Sequence, residues 1–431
     1  MTAFSTDLYQ LTMMAGYVAA GRHEDLATFE LFVRRLPRQR AFLVTAGLEQ
    51  ALEYIETLRF TDDEIEWLRA HPAFAAVPMA FFEYLARFEF AGDVHAMPEG
   101  TPFFPNEPIV RVTAPLAQAQ LLETALLAIV NFQTSIASKG VRCVAAANGK
   151  PVMEFGARRA HGTEAALYAA RAAHLAGCSA TSFVEAGRRF GIPLSGTMAH
   201  SWVLAARSER EAFEEYSTLF GSHTALLLDT YDVRAAAEMV VASGMRPPAV
   251  RIDSGDLAAL AREVRGIFDR GGLRDTRILV SGDLDEFKIR EMEAAGAPID
   301  GYAVGTALTT SDDAPALGGV YKLVELASGG QTRRVMKRST GKATWPGRKQ
   351  VWRLTGHDVV ALEGEDGPAG ATPLLELVIS KGARVAPTPS MERMRERCRT
   401  MVAALPEDLR ELDATASRPV NRSRTLDDLL R

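Results

Sequence analysis

Residues 249–286, AVRIDSGDLAALAREVRGIFDRGGLRDTRILVSGDLDE, decide the fold class of this chain. A short apolar segment ends at Asp253, a segment with helical spacing follows, and a second short apolar segment ends at Ser281. Strands that alternate with helices in this way are typical of a parallel sheet covered by helices.

The same pattern repeats between about residue 150 and residue 310. The apolar segments end at 154–155, 196–197, 228–229, 252–253, 281–282 and 304–305. Their spacing is close to the roughly 31 residues of one strand–helix unit in an α/β barrel. The widest interval leaves room for one more unit near residues 179–184. No GxGxxG follows an early strand, which disfavours an open doubly wound sheet. We therefore predict an irregular, incomplete α/β barrel.

The residues outside this repeat predict mixed α and β structure. We expect an N-terminal α+β domain over residues 1–120 that residues 327–389 complete, a barrel domain over 121–326, and a closing helix and tail over 390–431. Within the first domain, helices are predicted over 8–20 and 47–58, after the capping box Thr61–Glu64, and as one long helix over 116–137; a strand is predicted over 27–33.

Composition and charge narrow the functional class. The chain has 431 residues, with 49 basic and 54 acidic residues and a net charge of -5, which disfavours disorder and a dedicated nucleic-acid surface. Its three cysteines are far apart, which disfavours a disulfide scaffold and a structural zinc site. We expect no signal peptide, and no apolar run approaches the roughly 20 residues that a membrane helix needs. We predict a soluble, cytoplasmic protein without a membrane or nucleic-acid partner.

The predicted strand ends carry the residues that could perform chemistry. In a parallel barrel, ligands bind at the carboxyl ends of the strands. These ends supply an aromatic ring and two guanidinium groups, a histidine, an arginine beside two carboxylates, and glycine turns that expose backbone amides. This set suits a phosphorylated sugar with Mg²⁺. The stretches are EFGARR (154–159), GTMAHS (196–201), RIDSGD (251–256), SGD (281–283) and GT (305–306).

Each of these residues also has a structural interpretation. Asp256 would serve as an ordinary helix N-cap, and Asp283 with Glu286 would form a capping box. A lone histidine such as His200 is often a hydrogen-bonded structural residue. Arg158 and Arg159 could pair with Glu154 and Glu164 on the surface. Asp253 is different, because it precedes a Ser-Gly turn where capping does not explain it.

A basic segment lies outside the repeat. Residues 333–353 hold eight basic residues and no acidic one, so the rest of the chain carries -13. Such a segment indicates an anionic partner, either a phosphate ligand or another subunit, or else a solvated basic loop.

Eight stretches together resemble the nicotinate phosphoribosyltransferase family over nearly the whole chain. They are TDLYQLTM (6–13), EFGARRAHG (154–162), GTMAHSWV (196–203), LLLDTYD (226–232), RIDSGDL (251–257), SGDLDE (281–286), GYAVGT (301–306) and PGRKQVWR (346–353). The resemblance implies a homodimer with shared active sites. It also implies Mg²⁺-dependent, ATP-coupled synthesis of nicotinate mononucleotide from nicotinate and phosphoribosyl pyrophosphate, in NAD salvage.

The resemblance also implies a role for each matching residue. His200 would be phosphorylated by ATP, and Asp253 and Arg251 would complete the catalytic set. Phe155 would stack on the pyridine ring, with Tyr9 of a second subunit on its other face. The remaining expected ligand contacts are Arg158 for phosphate or carboxylate oxygens, Asp253 for ribose hydroxyls or Mg²⁺, Ser254 for substrate, Gly282, Asp283, Gly305 and Thr306 for the 5'-phosphate, and Lys139, Lys337, Lys342, Arg348 and Lys349 for further phosphates.

Ser179 bears on the choice between nicotinate and nicotinamide. We align it with an aspartate of the nicotinamide-using enzymes, and a neutral serine would remove repulsion of the nicotinate carboxylate. The sequence departs from the family at His161 and Trp202. Two alternatives stay open: a phosphoribosyltransferase for nicotinamide or another pyridine, and a catalytically silent dimeric paralogue.

Overall fold

The computed structural model describes residues 1–339 and 341–431, which form two compact units. The first unit contains Met1–Ser135 and Ala316–Arg431, and the second contains Ile136–Pro315. Among the described residues, no helix combines the length and the apolar character needed to cross a membrane.

The strands are numbered in chain order: β1 (Leu26–Val33), β2 (Leu43–Val44), β3 (Asp93–Ala96), β4 (Pro102–Phe103), β5 (Pro108–Pro115), β6 (Val152–Glu154), β7 (Ala180–Thr181), β8 (Ala225–Leu227), β9 (Ala249–Ile252), β10 (Arg277–Val280), β11 (Gly301–Val304), β12 (Gly319–Ser328), β13 (Gln331–Arg334), β14 (Lys349–Arg353), β15 (Asp358–Leu362), β16 (Thr372–Pro373), β17 (Glu376–Ser380), β18 (Ala383–Arg384) and β19 (Val420–Arg422).

The α-helices are numbered likewise: α1 (Leu8–Ala19), α2 (Leu48–Thr57), α3 (Asp62–Ala70), α4 (Met79–Ala86), α5 (Leu116–Leu121), α6 (Glu123–Ala146), α7 (Thr163–Leu175), α8 (Val184–Phe190), α9 (His200–Ala205), α10 (Glu209–Phe220), α11 (Val233–Ala242), α12 (Leu257–Arg270), α13 (Glu286–Ala294), α14 (Thr306–Thr310), α15 (Met391–Ala403), α16 (Glu407–Arg410) and α17 (Arg424–Asp428).

The second unit is built on a six-stranded parallel sheet in the order β7-β6-β11-β10-β9-β8, curled into a half-barrel. Its strands are short. They are largely apolar because both faces of a parallel sheet are covered. All four residues of β9 are buried, for example. Helix α12 follows β9 and begins where the Asp256 side chain accepts a hydrogen bond from the Ala259 amide. It buries one stripe of residues: Ala261, Val264, Ile267 and Phe268. The prediction of an incomplete α/β barrel is confirmed.

The first unit has α+β structure. Its largest sheet has the order β13-β12-β1-β5-β3-β17-β18, and its neighbouring strands run antiparallel. A four-stranded sheet, β16-β14-β15-β19, and the pair β2-β4 complete it. The predicted strand over 27–33 and the helices near 8–20 and 47–58 are confirmed as β1, α1 and α2. The predicted capping box also forms at the start of α3, with reciprocal hydrogen bonds between Thr61 and Glu64.

Two predicted elements are wrong. The apolar segment ending at 196–197 is not a strand; Leu194 makes only an isolated bridge to Thr181, and the extra unit near 179–184 supplies β7 instead. The single helix over 116–137 is two helices, α5 and α6, separated at Leu122, and α6 continues to Ala146. The apolar run continues through Leu122, so its periodicity gives no signal for this break.

The compact units do not begin and end at the predicted domain limits. The divisions fall at 135/136 and 315/316 rather than at 120/121 and 326/327, and the residues after 390 belong to the first unit. The first division lies inside α6, where neither glycine nor proline marks a boundary in the sequence.

Candidate active site

Arg251 anchors the carboxyl edge of the parallel sheet. It lies on β9, is 9% exposed, and donates through Nη2 to the Met198 carbonyl at 3.0 Å. Burial lowers the pKa of its guanidinium, which Asp253 and Asp229 raise and Arg158 lowers further. The Arg251 Nε is buried and has no hydrogen-bond partner among the described residues. The unused Nε donor of Arg251, together with the nearby exposed guanidinium of Arg158, makes this edge suitable for an anion.

His200 faces the carboxylate that follows the same strand. Its Nε2 lies 3.8 Å from Asp253 Oδ2, and the Arg251 Nη1 lies 3.6 Å from Asp253 Oδ1. The other ring nitrogen of His200, Nδ1, lies 3.2 Å from the Thr230 hydroxyl. The imidazole begins α9 and its side chain is 41% exposed, so it is accessible to a ligand. The three residues predicted to be catalytic therefore lie together.

A second carboxylate supports Asp253. The Asp229 Oδ2 accepts hydrogen bonds from the Asp253 amide at 3.1 Å and from the Ser254 hydroxyl at 2.6 Å. The Ser281 hydroxyl donates to Asp253 Oδ1. Within the described residues, the buried Asp229 Oδ1 has no hydrogen-bond partner. Neighbouring strand ends hold both carboxylates, which leaves Asp229 Oδ1, and Asp253 Oδ2 beside His200, for a ligand.

Two glycines allow neighbouring loops to approach each other closely. A Cβ on Gly282 would lie 1.9 Å from the Asp253 carbonyl oxygen, and Gly282 has a φ of +100°. A Cβ on Gly156 would lie 2.4 Å from the Thr309 Cβ and 2.8 Å from the Gly305 carbonyl oxygen. The loops after β6 and β11, and those after β9 and β10, therefore pack backbone against backbone.

Glu154, the last residue of β6, holds β7 and the helix that follows β11 through hydrogen bonds. It accepts hydrogen bonds from the Gly156 amide, from the Thr181 hydroxyl at 2.6 Å and from the Thr309 hydroxyl at 3.4 Å. Burial raises the pKa of Glu154, while these hydrogen bonds lower it. Phe155 follows directly and packs on a small cluster of Met153, Ala180 and Ala303. The chain thus fixes the position of the ring that is predicted to stack on a substrate.

The alternative structural roles have mixed outcomes. Asp256 is the N-cap of α12, as that interpretation predicts. The capping box of Asp283 and Glu286 is wrong, because Asp285 caps α13 and Asp283 adopts a φ of +47° in the preceding loop. Glu154 does not pair with Arg158 or Arg159, since its oxygens hold the loops described above and both arginines are exposed.

Ser179 lies at the amino end of its strand, whereas the other predicted site residues follow the carboxyl ends of theirs. It precedes β7, and both its amide and its hydroxyl bond to the carbonyl of Val152, the first residue of β6. The residue that follows β7 at the carboxyl edge is Ser182, whose amide donates to the Glu154 carbonyl at 3.0 Å. Ser179 therefore lies at the opposite edge of the sheet from Arg251, Asp253 and the other predicted site residues at strand ends.

Two predicted phosphate ligands are buried and already paired. Lys139 contacts three carboxylates of the second unit. In the first unit, Lys349 pairs with Glu30 at 2.8 Å. Neither lysine is available to a phosphate, because its charge is neutralised inside the protein.

The other predicted residues of the first unit are more exposed. Arg348 pairs with Glu325 at 2.9 Å and with Glu363 at 3.3 Å, whereas Lys337 and Lys342 are exposed. Tyr9 lies on α1 and is 47% exposed.

The two departures from the family pattern are also located. Trp202 lies on α9, and its Nε1 donates to the Ala212 carbonyl at 3.0 Å, which gives it a packing role between α9 and α10. His161 is exposed before α7.

Sequence reasoning missed several residues that organise the site: Glu154, Thr181, Asp229, Thr230, Ser281 and Thr309. Asp229 and Ser281 had a usable signal, since each follows a predicted strand. The sequence gives no signal for the contacts of Glu154 and Thr309, because these contacts join residues far apart in the chain.

Comparison with known proteins gives the family. Sequence models described as the nicotinate phosphoribosyltransferase (NAPRTase) N-terminal domain and the nicotinate phosphoribosyltransferase (NAPRTase) family match residues 4–131 and 151–344. A nicotinate phosphoribosyltransferase of Mycobacterium tuberculosis is 43% identical over 425 residues, which cover 96% of this chain and 89% of that protein. The chain belongs to the nicotinate phosphoribosyltransferase family.

Other family members are similar in sequence and in structure. A nicotinate phosphoribosyltransferase of Bacillus subtilis is 43% identical over 371 residues, which cover 84% of this chain and 74% of that protein. The crystal structure of human nicotinic acid phosphoribosyltransferase superposes with a TM-score of 0.85 at 30% identity, and covers 99% of both chains. The resemblance inferred from the eight sequence stretches is confirmed.

Proposed function

We propose that this protein is a nicotinate phosphoribosyltransferase. It forms nicotinate mononucleotide and pyrophosphate from nicotinate and phosphoribosyl pyrophosphate, coupled to ATP hydrolysis through a phosphohistidine, and it serves NAD salvage. It acts with Mg²⁺ as a cytoplasmic homodimer with shared active sites. The cytoplasmic assignment is supported by the cysteines, because Cys143, Cys178 and Cys398 are buried and form no disulfide with one another.

The observation that carries this proposal is the convergence of His200, Arg251 and Asp253 at one sheet edge. Asp253 lies within 4 Å of both other residues. In a member of this family, an imidazole, a guanidinium and a carboxylate at the strand ends fit a phosphorylated ribose and a phosphate donor. The proposal therefore rests on a geometry that three separated sequence motifs produce together.

The reaction requires charge stabilisation more than a strong base. The ring nitrogen of nicotinate forms a bond to C1 of the ribose, and the bond from C1 to the pyrophosphate oxygen breaks. Positive charge develops on the sugar while negative charge develops on the leaving group. Arg251 and Arg158 would supply positive charge for phosphate or carboxylate oxygens, and the Asp253 carboxylate, which lies beside Arg251, would accept hydrogen bonds from ribose hydroxyls.

Phe155 is the residue assigned to binding the pyridine ring of nicotinate. Its side chain rests on a fixed apolar cluster, so one face of the pyridine ring can stack on it, and such stacking is worth about 0.5–1.5 kcal/mol beyond burial. We assign the opposite face to Tyr9 of the second subunit. The turns at Gly282–Asp283 and Gly305–Thr306, with Ser254, are assigned to the phosphorylated ribose.

The site fits Mg²⁺ that is bound together with substrate. No cluster of three or more His, Cys, Asp or Glu suited to a metal ion occurs in residues 1–339 and 341–431. Mg²⁺ usually takes one or two carboxylates and completes its shell with phosphates and water. Asp253 and Asp229 would hold it, because Asp229 Oδ1 is buried and, among the described residues, without a partner. Bound Mg²⁺ would neutralise charge on the pyrophosphate.

His200 is the residue assigned to ATP coupling. Neutral imidazole is nucleophilic near pH 7, and one of its nitrogens can attack the γ-phosphorus of ATP as the bond to ADP breaks. Hydrolysis of the phosphohistidine then releases phosphate. The Thr230 hydroxyl at Nδ1 and the Asp253 carboxylate near Nε2 orient the ring for this step.

Selection of nicotinate over nicotinamide is assigned to the neutral carboxyl edge of β7. Ser182 follows this strand and bonds to the residue before Phe155, so a carboxylate at 182 would repel the nicotinate carboxylate. Ser182, by its position, would thus take the role that the sequence predicts for Ser179.

Two assays test the proposal. Purified enzyme is supplied with phosphoribosyl pyrophosphate and Mg²⁺, and turnover of nicotinate and nicotinamide is compared. We expect a clear preference for nicotinate. Preference for nicotinamide would overturn the substrate assignment, and turnover of neither would favour a silent paralogue.

The second assay follows ATP coupling. With γ-labelled ATP, the wild-type protein is expected to acquire an acid-labile phosphate, and His200→Ala is expected to acquire none and to lose stimulation by ATP. His223→Ala is the matched control, because this histidine belongs to the same unit, is exposed, and contacts the Ser222 hydroxyl beside it rather than the site. Equal labelling of His200→Ala and wild type would contradict the phosphohistidine.

A further inference from the structure

Lys139 is a buried cation that the reaction as proposed does not use. It lies on α6 within the second unit, and its side chain is 2% exposed. Its Nζ lies 2.6 Å from Glu286 Oε2, 3.2 Å from Asp312 Oδ1 and 3.0 Å from Asp313 Oδ1. Arg142, one helical turn further along α6, contacts the other oxygen of Glu286 at 2.8 Å.

The charges of this cluster are mutually stabilised. Burial would lower the pKa of Lys139, but Glu286 and Asp313 raise it above its ordinary value. Burial would raise the pKa of Glu286, but Lys139 and Arg142 lower it. Both groups are therefore ionised in the folded protein, and the ammonium is fixed by three carboxylates.

The partners of Lys139 follow the two loops that are assigned to phosphate. Glu286 is the first residue of α13 and comes three residues after Asp283. Asp312 and Asp313 follow α14, which begins at Thr306 directly after Gly305. A single ammonium group thus joins the segment after the first loop to the segment after the second.

We propose that Lys139 is a positioning residue that holds these two loops at the correct separation for a phosphorylated ribose. This inference rests on the proposed function, which assigns the loops to the 5'-phosphate. The two loops follow β10 and β11, which are neighbouring parallel strands. A buried ion cluster behind them restricts their motion, and binding of a phosphate depends on such preorganisation.

Steady-state kinetics tests the effect on substrate. In Lys139→Met, KM for phosphoribosyl pyrophosphate should rise by about tenfold or more, with a much smaller change in KM for nicotinate. Asp313→Asn is the second variant, because it removes one partner of Lys139 at the partly exposed end of the cluster without leaving a buried charge unpaired. We expect the same direction of change, smaller in size, with the fold retained.

Lys150→Met is the matched control. Lys150 pairs with Glu293 at 2.6 Å, and Glu293 lies near the end of α13 that is distant from the loop. The Lys150→Met change removes the ion pair of Glu293 on α13, but Glu286 at the start of α13 keeps its contacts with Lys139 and Arg142. KM for phosphoribosyl pyrophosphate should therefore remain close to the wild-type value.

Hydrogen exchange separates this inference from the proposed function. Amides of residues 281–286 and 305–311 should exchange faster in Lys139→Met and Asp313→Asn than in wild type or Lys150→Met. Unchanged exchange in both variants would overturn the inference, as would faster exchange with an unchanged KM for phosphoribosyl pyrophosphate. A wild-type protein that transfers no phosphoribosyl group would refute the proposed function, while exchange would still report whether Lys139 holds the loops.

Discussion

Replacing Gly282 with alanine tests whether the loop after β10 determines the position of Asp253. The added Cβ would lie 1.9 Å from the Asp253 carbonyl oxygen. Rotation of a side chain cannot relieve this clash, because the backbone fixes the positions of both atoms. To reach an ordinary contact, the loop and the end of β9 must separate by about 1 Å or more.

The energetic effect has two parts. Overpacking of this kind costs about 1–3 kcal/mol. The φ of +100° at Gly282 adds about 1–2 kcal/mol for a residue that carries a Cβ. We therefore expect Gly282→Ala to lose about 2–5 kcal/mol of unfolding free energy. If a shift of Asp253 by about 1 Å relieves the clash in the folded protein, kcat/KM should fall by about 100-fold.

Gly296→Ala is the matched control. Gly296 lies in the same unit and has a φ of +60°, and an added Cβ would meet no atom within 4 Å. It carries the backbone cost without the clash, so it should lose about 1 kcal/mol and keep its activity. Both variants are compared by thermal unfolding and by kcat/KM with nicotinate. Equal stability and equal activity of the two variants would refute the reasoning.

Two further predictions concern stability. Burial and the nearby Asp232 carboxylate raise the pKa of Glu209 to about 7, so the folded protein binds a proton that the unfolded chain releases. Wild-type stability relative to Glu209→Gln should therefore increase as the pH falls from about 8 to about 5, and a pH-independent difference in Tm would contradict this. Thr61→Ala removes the capping hydrogen bond to the Glu64 amide at the start of α3 and should cost about 1 kcal/mol. Chemical denaturation measures the loss, and no measurable change would show that the cap contributes nothing.

Much of the fold was predictable because local patterns specify it. Short apolar runs that stop at polar residues predict the carboxyl ends of β6, β8, β9, β10 and β11. The helix N-caps Thr61 and Asp256 are also predictable, because their side chains form hydrogen bonds within their own turn. These features depend on residues a few positions apart. The candidate site is predictable to the same extent, since Arg251 and Asp253 lie on one strand end.

What the sequence determined by itself is which residues lie at strand ends and helix starts; the tertiary structure alone decided which of them meet. Ser179 and Ser182 lie at opposite edges of the sheet although only the two residues of β7 separate them, and the sequence does not show where so short a strand begins. In the sequence, Lys139 and Lys349 have the features of phosphate ligands. In the folded protein, Lys139 pairs with Glu286, 147 residues away, and Lys349 pairs with Glu30, 319 residues away. Periodicity records burial along one element, whereas the partner of a buried charge is set by packing between elements that are distant in sequence.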